Sequence, residues 1–436
     1  MNNKTFFMLP FRFILFSNIF VVLFLNLINA QVPAALPKGE MAFYNTRIHT
    51  GKGEIIDKGV MIIKNGKITY IGNDRAKLNL VEHSIDLRSK EIYPGFIAAN
   101  TTLGLEEISA VKATQDSREL GNLNPNLRAL IAYNTDSKVI PTIRSNGILL
   151  AQIAPVGGMI SGQSSIVQLD AWNWEDATYS ADEGIWLNWP NHFSSGGWWG
   201  EPQKSTVNEN YLKEVESLVN YFSKAKAYQK PNSGEINLAF ESMQGLWNKD
   251  KKLFIRVNHA KAIMQSVLFC EKFGIKPVIV GGDDAWKITD FLKSRSISVI
   301  LGRLHSLPTR EDEHVLQPYM NPSILKKAGI LFALSDEGFW QQRNLAFQAG
   351  QAVSAGLSQE DALASITSSV AEIIGISDRV GSIEVGKDAT FFVSAGDALD
   401  IKSQNITMAF IQGKEVDLDN LHKQLYRKFT EKYKNQ

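Results

Sequence analysis

From Gly147 onward the chain alternates short, continuously apolar runs with segments of helical spacing, and few folds accept that pattern. The apolar runs cover residues 148–154, 254–257, 277–280, 298–301 and 330–334, and the helical segments 259–273, 285–294 and 322–328. A strand without polar alternation has to be covered on both faces, and intervening helices do so when the strands run parallel. Repeated this often, the unit predicts a barrel or a doubly wound sheet. Two further helices follow the 330–334 run; Ser358 can cap the second, with Glu360 and Asp361 in its first turn, and Gly375 can stop it.

Both flanks read differently. Residues 41–93 look like short strands, with Met61-Ile62-Ile63 and Ile68-Thr69-Tyr70-Ile71 on either side of Lys64-Asn65-Gly66-Lys67, and an Asn-Gly pair between apolar runs signals a hairpin. Strand character returns over 383–416, and Leu418, Leu421, Leu425 and Phe429 then fall at the spacing of a terminal helix. Neither flank has enough strands to bury a core alone, so the two ends are expected to share one sheet system.

The first thirty residues have the layout of a secretory signal. Lys4 and Arg12 precede an apolar run over 13–28 without an acid, and Ile28-Asn29-Ala30 offers a small residue at the cleavage point. The run approaches membrane-spanning length, but Pro33 and Pro37 follow at once and no Cys is placed for lipid attachment. The expectation is export to the periplasm or beyond, with no membrane anchor after cleavage. Losing Lys4 and Arg12 and no acid takes the net charge from +1 to −1, which excludes an electrostatic footprint for nucleic acid. Cys270 is the only cysteine and lies in an apolar helical run, so it reads as buried packing.

Three colinear segments resemble the imidazolonepropionase-like branch of the amidohydrolase superfamily. They are Lys64-Asn65-Gly66-Lys67-Ile68 with Ile71-Gly72, the entry Tyr93-Pro94-Gly95-Phe96-Ile97, and the return Gly381-Ser382-Ile383-Glu384-Val385-Gly386-Lys387-Asp388-Ala389. The resemblance spans residues 41 to 416. It implies an α/β fold, a TIM-type (β/α)8 barrel carrying a composite β-sandwich formed by the N- and C-terminal segments. The boundaries would be a signal at 1–30, sandwich at 31–92, barrel at 93–380, sandwich again at 381–416 and a helix at 417–436.

The resemblance also implies a divalent, zinc-type ion at the C-terminal ends of the barrel strands. In that family it is held by His-x-His after strand 1, often a Lys or Glu on strand 4, His after strands 5 and 6, and Asp after strand 8. There it activates water for attack on a C–N bond. This chain departs from the set. Ala98-Ala99-Asn100-Thr101-Thr102 stands where the family has Asp-x-His-x-His, so Asn100 and Thr102 replace both histidines. Arg256 falls at the strand 5 position, with His259 at least two residues beyond it, and glycine precedes Asp283 at strand 6. Asp336 alone keeps its family identity.

Asn and Thr are weak ligands beside imidazole, and a fixed guanidinium repels a divalent ion. Three readings stay open: a normal metal hydrolase, a rearranged site using Asp336, His259, His305 or Asp283, and a metal-free relative. A metal-free chain would bind a small molecule or support an active homologous subunit. Asp336 is the candidate catalytic carboxylate; Asn100, Thr102, Arg256, His259, Asp283 and His305 are the candidate pocket residues. The most specific expectation is that Arg256 takes the ion's place and pairs with Asp336. If catalytic, the chain would hydrolyse a non-peptide C–N bond of a small cyclic or peptide-derived amide.

Two more segments invite a functional reading. The Gly157-Gly158 stretch could turn backbone N–H groups toward an anion, or simply make a tight connection. Six of the nine tryptophans fall within 172–199, ending near Gly196 and Gly197, as an aromatic lid or as an insertion with its own core.

Overall fold

In a computed structural model, residues 32–35, 37, 39–196, 204–230 and 235–434 are described. The expected signal segment therefore lies outside the described residues. From Ala34 on, the chain forms one compact unit. No described helix is long and apolar enough to cross a membrane.

The N-terminal strands are β1 (Glu40–His49), β2 (Ile55–Lys64), β3 (Lys67–Gly72), β4 (His83–Asp86) and β5 (Glu91–Pro94). The β2–β3 hairpin turns at Asn65 and Gly66, both at positive φ, as the Asn-Gly pair requires. β1 shifts register on either side of Thr46. Its first half thereby pairs β4 and its second half pairs β5, both in parallel.

The barrel strands are β6 (Phe96–Thr101), β7 (Ile148–Ile153), β8 (Ile160–Gln168) and β9 (Thr178–Asn188). After a small hairpin of β10 (Phe193–Gly196) and β11 (Lys204–Val207) come β12 (Lys252–Val257), β13 (Pro277–Gly281), β14 (Ser298–Leu301) and β15 (Phe332–Leu334). The chain closes with β16 (Phe391–Ser394), β17 (Ile406–Ile411), β18 (Lys414–Glu415) and a helix at Leu421–Tyr433.

The two ends do share a sheet. β16 runs antiparallel to β5, with Phe392 opposite Tyr93 and Ser394 opposite Glu91, so the order is β18-β17-β16-β5-β1-β2-β3 with β4 beside β1. It is one continuous sheet, with Phe43, Met61, Phe391 and Phe410 on one apolar face and Ala42, Val60 and Ile62 on the other.

The second sheet is a nearly closed barrel of eight strands in the order β15-β14-β13-β12-β9-β8-β7-β6. The gap between β15 and β6 is bridged by other backbone. Ile97 N–H donates to the Ile366 carbonyl, Leu334 N–H to Ser365, and Thr102 N–H to Gly338. Ile97, Leu150, Trp186, Phe254, Val280 and Ile300 fill the interior, and a larger shell joins the outer strand faces to the helices. Cys270 is in that shell, where burial pushes its thiol upward.

The barrel departs from a strict (β/α)8 at one place. β8 is antiparallel to both β7 and β9, so a meander replaces two helical crossovers. Gly157 and Gly158 both take positive φ and make the β7–β8 turn possible. The carbonyl of Gly158 accepts a hydrogen bond from Asn188 Nδ2 at 2.6 Å, so the stretch is a tight connection.

The tryptophan-rich segment is corrected in the same way. It supplies β9, whose Trp186 is fully buried inside the barrel, while Trp189 packs edge-on to Phe269 at 5.4 Å. Trp172 is exposed, and Gly197, Trp198 and Trp199 lie outside the described residues. Trp186, read as part of a lid or of an insertion core, instead builds the wall beneath the mouth.

Candidate active site at the barrel mouth

Arg256 is the centre of the mouth. It is the last residue but one of β12, four places from β6 in the strand order and so across the barrel from it. Its Nη2 donates to Asn100 Oδ1 at 3.1 Å on that opposite wall, and Nη1 donates to the Pro155 carbonyl at 3.0 Å. Asn188 Oδ1 lies 3.5 Å away, and the guanidinium stacks over Trp186 at 4.2 Å. The cation therefore spans the barrel axis, held by neutral acceptors and an aromatic face. Among the described residues no carboxylate comes within ion-pair distance of it. Burial pulls its pKa down to about 10, and distant Glu337 only partly offsets this.

Asn100 is shaped by that contact. Arginine can only donate, so Asn100 presents its oxygen and leaves Nδ2 without a partner, although the residue is 5% exposed. It sits at φ 52, an uncommon conformation for a residue at a strand end. Thr102, two residues on, also has a buried hydroxyl without a partner. Below them runs a polar relay: Asn100 N–H reaches Gln152 Oε1 at 3.4 Å, and Gln152 Nε2 donates to Glu183 Oε1 at 2.8 Å. Burial pushes the Glu183 carboxyl up to about 7, against the hydrogen bonds from Ser164 and Gln152.

Asp336 does not meet Arg256. It is buried, and its Oδ1 accepts from Arg303 Nε at 2.7 Å while Oδ2 accepts from Gln348 Nε2 at 2.6 Å. Burial raises its pKa, with Arg303 pulling the other way. The expected Arg256–Asp336 pair is thus corrected: a nearer arginine, one strand away on the β14 loop, takes the carboxylate first.

The other candidates disperse. His259 precedes the helix Ala260–Phe273 and faces Asp284 at 3.7 Å. Asp284 also accepts a bidentate pair from Arg310 at 2.8 and 2.9 Å and a bond from the Ala260 N–H. These contacts hold it below the usual carboxylate range despite burial. His305 is exposed, its ring 5.8 Å from Tyr319. Asp283 stays at the mouth; burial, with Asp284 and Glu337 nearby, raises its carboxyl.

A divalent ion does not fit this donor set. Its place on the axis is crossed by a guanidinium, and Gly281 at the strand 6 position is at φ 95, where a Cβ would collide with Asn258 Oδ1. Among the described residues no group of three or more His, Cys, Asp or Glu could enclose an ion. The rearranged site around His259, His305 and Asp336 is not assembled.

Sequence reasoning missed Asn188, Gln152 and Glu183, and it read Trp186 as part of a lid or an insertion core rather than as the ring under Arg256. Gln152 was visible as a polar residue inside an apolar run. Glu183 was not, because the bulge in β9 next to Asp182, at φ 52, sets its direction.

The fold is an α/β barrel with a terminal composite sheet, its polar groups gathered at the strand C-termini. Residues 333–416 match the sequence model of the amidohydrolase family. The fold is shared with an amidohydrolase from Thermotoga maritima MSB8, at 24% identity and a TM-score of 0.73, over 86% of this chain and 99% of that one. It is shared more distantly with a prolidase complexed with N-methylphosphonate-L-proline, at 15% identity and a TM-score of 0.54, over 87% and 99%. An adenosine deaminase from Xanthomonas campestris with bound zinc aligns at 12% identity and 0.52, over 92% and 100%. No curated protein matches the sequence. The chain shares the fold of these barrels, and its match to the family model lies in the last barrel strand, the helices after it and the returning sheet.

Proposed function

We propose that this barrel binds a small ligand through a carboxylate, with Arg256 at the strand position where the family resemblance implies a metal ligand. One observation carries the reading: a guanidinium on the barrel axis with neutral partners only. A half-buried cation without a counter-charge is disfavoured, and a bidentate carboxylate supplies that charge in matching geometry. Asn100 Nδ2, an unpartnered donor on the same amide that touches Arg256, can join the recognition. Export through the N-terminal signal would put this function in the periplasm.

Hydrolysis of an amide C–N bond is the second reading, and Asp283 favours it. Its raised carboxyl makes no side-chain hydrogen bond among the described residues and could take a proton from attacking water. Arg256 would then stabilise the developing oxyanion.

Titrating N-acetyl-phenylalanine and its primary amide against Trp186 fluorescence tests the proposal. The acid should quench and the amide should not, with the response lost in Arg256→Met. Equal binding of acid and amide would refute a carboxylate site. Mass spectrometry of the same mixtures would reveal acetate with phenylalanine from the acid, or with phenylalaninamide from the amide, if the hydrolytic reading holds.

A further inference from the structure

The helix Leu421–Tyr433 has no buried residue. Leu421, Leu425, Phe429 and Tyr433 recur every four residues along one side and are 60, 41, 46 and 57% exposed, with Tyr426 beside them at 73%. The shallow depression along this side is lined by residues of the helix end itself, 422–434. An apolar stripe of this length has no covering element among the described residues.

The rest of the helix is basic. Glu431 is its only acid, against Lys423, Arg427, Lys428 and Lys432, with Lys434 just beyond. Arg427 is engaged by Asp419 at 2.8 Å, and Lys423 donates to the Leu418 carbonyl at 2.8 Å. Lys428, Lys432 and Lys434 make no ion pair among the described residues. At 100° per residue, Lys428 and Lys432 border one edge of the apolar stripe, and Lys434 lies past the other.

We infer that this helix docks on an anionic phospholipid surface, with Leu421, Leu425, Phe429 and Tyr433 in the headgroup region and the free lysines against lipid phosphates. A helix with aromatic and aliphatic residues on one face and lysines flanking it lies in the plane of a bilayer interface. Charge complementarity selects the occupant. Two copies meeting across this face would bring their lysines together, whereas an anionic bilayer neutralises them. The contact is peripheral and separate from any spanning segment. The His422 ring is 5.6 Å from Trp340, on the loop after β15, so the docked helix would hold that loop close to the lipid.

Vesicle co-sedimentation tests this with residues 31–436, which contain the whole compact unit from Ala34 on and lack the apolar N-terminal run. Vesicles of phosphatidylcholine with about one-third phosphatidylglycerol should bind the protein, and phosphatidylcholine alone should bind it at least about tenfold less. Leu425→Ser with Phe429→Ser should lose binding about tenfold, as should Lys428→Glu with Lys432→Glu if the first pair fails to fold. Equal binding to both vesicles, or by both variants and the parent, would overturn the inference. So would a doubled mass in light scattering that Leu425→Ser with Phe429→Ser abolishes, because a second copy would then cover the face.

Discussion

Arg256 on β12 reaches across the barrel to Asn100 on β6, Nη2 to Oδ1 at 3.1 Å, and so occupies the axis with a fixed positive charge. With neutral acceptors as its only partners, Arg256→Met should cost about 1–3 kcal/mol by leaving Asn100 and Pro155 oxygens unsatisfied. Breaking a buried ion pair would cost about 3–5 kcal/mol. Urea denaturation distinguishes the two, and a loss in the upper range would mean that a carboxylate does pair with Arg256.

Chelation should leave the protein unchanged. The donor set at the mouth does not fit a divalent ion, so the melting temperature with excess EDTA should equal that without it. Added zinc should raise it no more than it raises that of the Asp336→Asn variant. A clear drop on chelation would show that an ion contributes to folding stability.

How much of this was legible follows from which interactions are local. The parallel strands β12 to β15 and the hairpin at Asn65-Gly66 were readable because burial on both faces and turn chemistry leave direct marks in sequence. The β7–β8–β9 meander was not: Ser161, Gly162, Ser164 and Ser165 dilute the apolar run of β8, and Trp186 in β9 was read with the tryptophan cluster as a lid or an insertion core. At the site, the loss of ligand residues at Asn100, Thr102 and Arg256 was visible by position. The partner of Asp336 was not, because Arg303 approaches from a loop whose path no periodicity specifies.

His49 links the terminal sheet to the barrel. Its ring nitrogens lie 2.8 Å from Glu360 and 3.0 Å from Glu91, and the ring stacks on Tyr93 at 4.3 Å. Burial opposes its charge, but the two carboxylates outweigh it and raise the pKa to about 9. The raised value means that the contribution is complete below about pH 6.5 and is lost as pH rises through 9. Replacement by Gln should therefore destabilise by about 2–3 kcal/mol at pH 6 and by much less at pH 10. A pH-independent difference in unfolding free energy would contradict this.

Glu183 should behave in the opposite sense on substitution. Burial raises its carboxyl to about 7, so the folded state favours the protonated form and loses stability as pH rises from about 4.5 to 7. Glu183→Gln keeps the Oε1 acceptor for Gln152 and Ser164 and removes the ionisation. The variant should gain about 1–3 kcal/mol at pH 8 and little at pH 4. Thermal melts at both values check it, and a loss at pH 8 would mean that the ionised carboxylate is the form the barrel needs.

The most direct test of the carboxylate site is the Arg256 side chain itself, followed by NMR in protein labelled with nitrogen-15 at arginine. The Nε–H signal absent from Arg256→Lys should shift on titration with N-acetyl-phenylalanine and stay in place with the primary amide. If that signal ignores both compounds, or if only the Arg303 signal moves, Arg256 is not the receptor and the reading of the barrel mouth fails.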